Sequence, residues 1–317
     1  MKAVVIYEAG GPEKLIYTEV PTPQIKPGWS LVKVKGFGIN HSEIFTRQGL
    51  SPSVKFPRIL GIESVGVIAE TTDEKNLPVG QKVVSIMGEM GRAFDGSYAE
   101  YVLLPNEQIF PVNTKLSWEE LAAIPETYYT AFGSLLRLKL KETDKVLVRG
   151  GTSGVGIAFL KLLKGKFPTL NIDGTSRDPA KEESLLAAGF SKVIIDKDNH
   201  LQTDKRYNKI LELVGPASIK DSFAHIAPEG IICNTGLLGG QWFLDAFDPI
   251  TDTMRAYLTG FSSGDVDGLR MNQLLDFITE HQIDVAPEKV FSLADTKKAH
   301  EYLESSHSFG KVVVMNN

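Results

Sequence analysis

The chain has 317 residues, enough for about two domains, and its composition, 42% hydrophobic and 23% charged, is that of an ordinary soluble globular protein. A net charge of −5 and an isoelectric point near 5.8 give no electrostatic footprint for nucleic acid. One cysteine, Cys233, excludes an intramolecular disulfide and a cysteine-based zinc site, and no apolar run reaches the roughly 18 residues of a membrane span.

The first residues, Met1 to Tyr7, read as a strand and lack the apolar core and cleavage site of a signal peptide. With the lone cysteine, this predicts a cytoplasmic protein. Residues 1–116 are rich in strand patterns and turn breakers. Lys2 to Tyr7, Ser30 to Lys35, Ile62 to Glu70, Lys82 to Met87 and Ser97 to Leu104 read as strands punctuated by glycine and proline. Short strands at close spacing predict a barrel-like β domain.

The pattern changes near Leu116. Ser117 followed by Glu120 is a capping box opening a helix, and a second helix is expected over Thr130 to Leu138. Strands and helices then alternate. Strands are predicted at Asp144 to Arg149, Leu170 to Ser176, Val193 to Ile195, Lys209 to Val214 and Gly230 to Thr235. Helices are predicted from Ile157, over Pro179 to Ala188 and over Ala217 to His225. This alternation predicts an α/β fold with a doubly wound parallel sheet of the Rossmann type over residues 117–265. Residues 266–317, with a helix over Leu269 to Glu280 and a final strand at Lys311 to Val314, are expected to return to the β-rich domain.

Between the first strand and helix of the alternating region lies Gly150-Gly151-Thr152-Ser153-Gly154-Val155-Gly156. Glycines allow a sharp turn and close approach of backbone to pyrophosphate, and the helix start offers free N–H groups. Gly151, Ser153 and Gly156 take the three glycine places of a dinucleotide fingerprint, and the Ser153 hydroxyl is placed to donate to phosphate. At the tip of the second strand, where NAD enzymes carry an acid for the ribose 2′-hydroxyl, the chain has Thr175-Ser176-Arg177-Asp178. A hydroxyl and a guanidinium there suit a 2′-phosphate, so NADPH is the expected cofactor. Asp173 is the competing acid, but it falls inside the strand. Gly215, Gly236 and Leu237 follow later strand ends and are expected near the cofactor.

Six stretches carry a family resemblance: Gly38 to Glu43, Pro57 to Glu63, Val79 to Val84, Gly96 to Tyr101, the glycine turn, and Gly310 to Val314. The chain resembles the medium-chain dehydrogenase/reductase superfamily, in its zinc-free quinone oxidoreductase (zeta-crystallin-like) branch. The resemblance implies a chaperonin-10-like β-barrel catalytic domain (1–116, completed by 266–317) and a Rossmann cofactor domain. It further implies a phosphate-binding role for Lys181, a cofactor contact at Thr130 and at Lys311, and a homodimer. An edge strand within Arg255 to Ser263 is the expected pairing element between subunits.

Zinc enzymes of that superfamily hold the metal with Cys, His and Cys. The matching places here carry Asn40, Ile62 and the stretch Pro125-Glu126-Thr127-Tyr128. An amide and an isoleucine cannot replace a thiolate and an imidazole around zinc. The resemblance therefore implies a metal-free enzyme, with His41 hydrogen-bonded locally and Glu63 a structural carboxylate. Without a Lewis acid, hydride delivery to an already electron-poor acceptor, a quinone or an α,β-unsaturated carbonyl, is the expected chemistry. Asn40 is expected to bind the substrate oxygen or the nicotinamide ribose. Ser42 is expected to relay a proton or bind that ribose, and Tyr128 or Tyr129 to shape the pocket or donate a proton. Arg47 is expected at the pocket rim or paired with an acid. An enoyl or acryloyl thioester reductase, and a non-catalytic NADPH-binding or crystallin-like protein, stand as alternative readings.

Overall fold

A computed structural model describes residues 1–253, 255–305 and 308–316. The chain divides into two compact units. The first comprises Met1–Tyr129, Ser263–Phe277 and Val285–Asn317; the second comprises Thr130–Ser262 and Ile278–Asp284. The first break thus falls after Tyr129, later than the expected 116. The helix Trp118–Ala122, opened by the predicted capping box, packs on the strands Trp29–Gly38, Glu63–Glu70 and Val312–Met315 of the first unit.

In the first unit, the long strand Trp29–Gly38 organises the larger sheet. It pairs antiparallel with Glu63–Glu70, with Tyr101–Pro105 and with Val312–Met315. Lys289–Ser292, Lys82–Ile86 and Phe110–Pro111 extend the sheet. A second sheet holds Leu15–Glu19, Lys2–Ile6 and Arg58–Ile59. The apolar residues between the sheets, including Val4, Ile6, Val32, Phe37, Ile68, Tyr98, Val102 and Val314, form one buried core. Alternation along each strand sends these side chains inward.

The strands Leu15–Glu19, Arg58–Ile59 and Phe110–Pro111 and the helix His41–Arg47 of this unit have no counterpart among the predicted ones. The helix is seven residues long, too short for a periodic signal, and it buries Glu43 and Arg47 rather than only apolar residues. Asn40 stands at its N-cap, yet its side chain does not cap it.

The second unit is the Rossmann sheet. Its order is His200–Leu201, Lys192–Lys197, Ile172–Ser176, Val146–Arg149, Tyr207–Glu212, Ile226–Asn234, Tyr257–Gly260. Every pairing is parallel except that of His200–Leu201. From the central strand Val146–Arg149 the chain winds outward through Ile172–Ser176 and Lys192–Lys197. It then crosses to Tyr207–Glu212 on the other side. That reversal puts the switch point, where ligands of open sheets bind, at the carboxyl ends of Val146–Arg149 and Tyr207–Glu212. The predicted edge strand is present as Tyr257–Gly260.

Arg149 ties these strand ends together. Its buried guanidinium makes a bidentate pair with Asp196, at 2.7 and 3.1 Å, and donates to Ser222 Oγ and to the carbonyls of Ser218 and Asn199. Fully paired in this way, a buried charge holds geometry rather than costing stability. The helix Glu182–Ala188 ends at Gly189 in the left-handed region, φ 115°, as the sequence predicts. Among the described residues, no helix is long and apolar enough to cross a membrane.

Candidate active site

The glycine turn is built as a phosphate loop. Gly150 has φ +92°, and its N–H is held by Thr175 Oγ1 at 2.9 Å. Gly151 donates to the carbonyl of Thr175 at 3.1 Å. A Cβ on Gly156 would lie 2.6 Å from the carbonyl oxygen of Gly150, so the helix Gly154–Lys166 can start here only with glycine at that place. Thr152, Gly154 and Val155 are partly exposed at the head of this helix, and first-turn N–H groups have no acceptor within a helix. One expectation changes. The Ser153 hydroxyl donates to the Gly150 carbonyl at 2.8 Å and accepts from Gly156 N–H at 3.1 Å. It is the N-cap of the helix, so its proton is not directed at phosphate.

The tip of the second strand carries an exposed Arg177, whose side chain has no hydrogen bond or ion pair among the described residues. Lys181 follows in the short turn Pro179–Lys181. Ser176 is buried, and its hydroxyl donates to the carbonyl of Asp178 and accepts from its N–H, so it shapes the turn that presents Arg177. Its expected contact with a 2′-phosphate is not available to that proton. Asp173, the competing acid, is buried and accepts from Lys205 at 2.6 Å and from Tyr207 OH at 2.9 Å.

Gly215 and Gly236 lie where two strand ends touch. A Cβ on Gly236 would sit 2.2 Å from the Leu213 carbonyl, and one on Gly215 would sit 2.6 Å from that of Gly236. Leu237, beside them, is half-buried. At the same carboxyl edge, Ser134 donates to the Thr130 carbonyl and bonds Thr235 Oγ1 at 2.9 Å. The hydroxyl of Thr130 and the side-chain oxygen of Asn234 are buried there without a partner among the described residues. Orphaned polar groups beside glycines that permit close backbone approach are the chemistry a dinucleotide would satisfy. The residues of the second unit therefore fit this cofactor.

The polar cluster of the first unit is centred on Glu63, at the start of the strand Glu63–Glu70 and completely buried. Its Oε1 accepts from Lys311 Nζ at 2.6 Å and from Asn40 Nδ2 at 2.8 Å, and its Oε2 accepts from the backbone N–H of Glu126 at 2.8 Å. Lys311 also donates to Asn40 Oδ1 at 2.7 Å. Asn40 thus bridges the ion pair with both ends of its amide.

Two further carboxyls face this centre. Glu43, from the same short helix, accepts from Ile62 N–H at 3.3 Å, and its Oε2 has no partner among the described residues. Burial, and then the charge of Glu63, push its carboxyl up to about 8. Glu126 accepts from Ser263 Oγ at 2.7 Å through Oε1, and its Oε2 is buried and likewise unpartnered. Burial, and then Glu63, push it up to about 7. Three carboxyls around one ammonium cannot all ionise, and the two lacking the ammonium as a direct partner retain protons.

Several expectations for this unit change with the geometry. The Lys311 ammonium is committed to Glu63 and Asn40, which takes it from the expected cofactor contact. Tyr129 OH donates to the Asp265 carbonyl and accepts from Asp267 N–H and Arg270, so it pins a loop rather than offering a proton. Tyr128 is buried core. Ser42 accepts from Arg92 at 2.6 Å. Arg47 is fully buried, not at a rim, and pairs with Glu304 at 2.7 Å, the alternative the sequence allows. His41 is exposed and lies 6.5 Å from the ring of Phe45.

Glu43, Glu126, Arg92 and Ser263 were not marked by the sequence reading. The one available signal was that Glu126 falls in the stretch matched to the third zinc ligand. A cavity of about 540 Å³ in this unit, lined by residues including Tyr7, Trp29, Arg58 and Phe94, shares none of the cluster's residues. The concentration of buried titratable groups, not that cavity, marks the candidate site.

Comparison with known proteins bears on the family and the fold. Residues 26–114 match the family described as an alcohol dehydrogenase GroES-like domain, and residues 188–314 match that described as zinc-binding dehydrogenase. The quinone oxidoreductase of Homo sapiens is 27% identical over 250 residues, 75% of this chain and 74% of that protein. The solved structure of the quinone oxidoreductase from Coxiella burnetii aligns with a TM-score of 0.84 at 25% identity, covering 99% of both chains. A mycobacterial structure complexed with NADPH aligns with a TM-score of 0.81 at 25% identity, covering 99% of this chain and 100% of that one.

Proposed function

Because the chain belongs to the medium-chain dehydrogenase/reductase superfamily, we propose that it is a zinc-independent, NADPH-dependent reductase of quinones or α,β-unsaturated carbonyls. The observation that carries this reading is the set of side chains at the places of the superfamily's metal ligands. By the resemblance, Asn40, Ile62 and the stretch Pro125 to Tyr128 stand at the places of the three ligands; Ile62 is buried core, and the Lys311 ammonium is bonded to Asn40 and Glu63. Among the described residues, no group of three His, Cys, Asp or Glu side chains is disposed to hold a metal ion. An amide, an isoleucine and an ammonium already bonded to Glu63 offer a divalent zinc ion neither thiolate nor imidazole.

NADPH, when bound, supplies a hydride. The glycine turn and the first-turn N–H groups at Gly154 and Val155 would hold the pyrophosphate, and Arg177 would pair with the 2′-phosphate. Gly215 and Gly236 let the backbone close on the cofactor, and the orphaned hydroxyl of Thr130 meets one of its polar groups. Most of the acceleration then comes from positioning.

A paired assay tests the proposal: oxidation of NADPH and of NADH with 1,2- and 1,4-quinones and small enones, with and without added zinc. NADPH oxidation by a quinone or an enone, unaffected by zinc, is expected. Alcohol oxidation appearing with zinc would overturn the metal-free reading. A coenzyme A thioester turning over far faster than quinones would move the substrate class, and background rates with every acceptor would favour a non-catalytic NADPH-binding protein. We also propose a homodimer in the cytoplasm, joined through the edge strand Tyr257–Gly260, where Tyr257 and Leu258 are exposed.

A further inference from the structure

We propose that Glu126 is a catalytic residue: a neutral carboxylic acid that hydrogen-bonds the carbonyl oxygen of the acceptor and gives it a proton. This rests on the reductase reading above.

The argument begins with charge. Glu63 (on the strand Glu63–Glu70), Glu43 (on the helix His41–Arg47) and Glu126 converge, and the cations facing them are Lys311 and, more remotely, Arg92. Lys311 is spent on Glu63, which also takes Asn40 and the Glu126 N–H. Glu126 receives no cation directly. Among the described residues its one side-chain donor is Ser263, and that bond is to Oε1. A protonated Glu126 therefore carries its hydrogen on Oε2, and Oε2 is buried without an acceptor among the described residues. Glu43 Oε2 is orphaned in the same way, with Glu43 only 1% exposed. An O–H in a dry site with nothing to receive it is costly unless a ligand supplies the acceptor. A carboxylic acid kept neutral so that it can donate is an established way to stabilise an oxyanion. Glu126 stands in the stretch that matches the third zinc ligand of metal-dependent relatives, so the acid borders the place that the Lewis acid takes in them.

The step balances. With an enone, hydride from bound NADPH forms a C–H bond at the β-carbon, and the π electrons move to oxygen. The O–H bond of Glu126 breaks as the enolate oxygen takes the proton. Glu126 is left as a carboxylate and regains a proton from solvent, and the enol tautomerises in water. With a quinone, the same proton goes to the hydroquinone anion.

The sign of the pH effect follows. The protonated form is the active one, so turnover falls as pH rises through about 7. General acid catalysis of this kind is worth on the order of 10²–10⁴-fold. The test is the pH profile of NADPH oxidation, with an enone and with a 1,4-quinone, for the wild type, E126Q, E126D and E43Q. E126Q is expected to lose at least about 100-fold in kcat with little change in KM, and to lose both the limb near neutrality and the solvent deuterium isotope effect. E126D, which keeps an acid, restores part of kcat and a titrating limb, whereas E43Q keeps the wild-type limb. Independently of turnover, the infrared carbonyl band of a protonated carboxylic acid at pH 6 is expected in the wild type and reduced in E126Q.

If E126Q fails to fold, the infrared titration of wild type and the profile of E126D carry the test. An E126Q enzyme with wild-type kcat and pH limb overturns the assignment of Glu126 alone. So does a wild type with no protonated-carboxyl band at pH 6. A wild type that oxidises NADPH with none of the acceptors overturns the reductase reading, and this inference falls with it.

Discussion

At the residue scale, the proposed choice of NADPH rests on Arg177. The side chain is exposed, and the turn that presents it is held by Ser176 and capped by Asp178. The nearby Asp173 is buried and paired with Lys205, and Asp178 at the tip accepts from Ala180 N–H through Oδ1. Arg177→Ala is expected to raise KM for NADPH about tenfold, in line with the loss of one charge-assisted hydrogen bond, while KM for NADH changes little. Equal changes for the two dinucleotides would rule this out. Lys311 belongs at the same scale but acts on stability. Lys311→Met leaves Glu63 buried with no cation, and removing one partner of such a pair costs about 3–5 kcal/mol. Urea unfolding of the variant at pH 7 reads this directly.

At the scale of elements, the alternating strands and helices of the second unit were legible because each carries its own period and its own punctuation. The capping box at Ser117 and the terminal glycine Gly189 are both where the sequence places them. The helix His41–Arg47 was not legible. Seven residues give less than two turns of pattern, and its buried residues include a glutamate and an arginine. Its burial is decided by partners far away in sequence, Lys311 and Glu304, which no local window contains. For the same reason Asn40 and Lys311 were each visible as candidates, but their meeting over Glu63 was not. Ser153 and Ser176 show the converse error. Both lie where phosphate chemistry is expected, and both hydroxyls are used locally, because serine at a helix start or a turn competes for backbone groups. For the glycine turn itself the geometry is firm. Gly156→Ala must displace the Gly150 carbonyl or the helix start, and a loss of about tenfold in NADPH affinity, about 1.4 kcal/mol, is expected by fluorescence titration. Unchanged affinity would show that the turn tolerates a Cβ.

At the scale of the whole molecule, the buried carboxyls make stability depend on pH. Glu43 and Glu126 bind protons more tightly folded than unfolded, from a reference of 4.5 to about 8 and about 7. Their contribution is therefore full below about pH 4.5 and is lost as pH rises through 7 and 8. Glu43→Gln removes one such group without changing shape. The stability of E43Q relative to the wild type is expected to grow between pH 5 and 8, measured by urea midpoints, and a constant difference would contradict the assignment. His300 works in the opposite sense. Burial first, then the positive charge of Arg47, hold it down to about 3, so its share is present above about 6.5 and lost as pH falls towards 3. Association is tested at the same scale. Leu258→Lys, on the exposed edge strand, is expected to turn a dimer into a monomer by sedimentation velocity, and a dimer that persists would place the contact elsewhere.

The pairing of Lys311 with Glu63 also has a consequence for synthesis. The two residues are 248 positions apart, and the strand Val312–Met315 must lie against Trp29–Gly38 before the ammonium reaches its carboxylate. The second unit is encoded almost wholly between them, from Thr130 to Ser262. On a ribosome, the Rossmann sheet can thus close while the amino-terminal barrel still holds an uncompensated acid and an unpaired strand edge. The part of the chain made first is completed last. During that interval it is the part exposed to mispairing with other nascent chains and to chaperone capture.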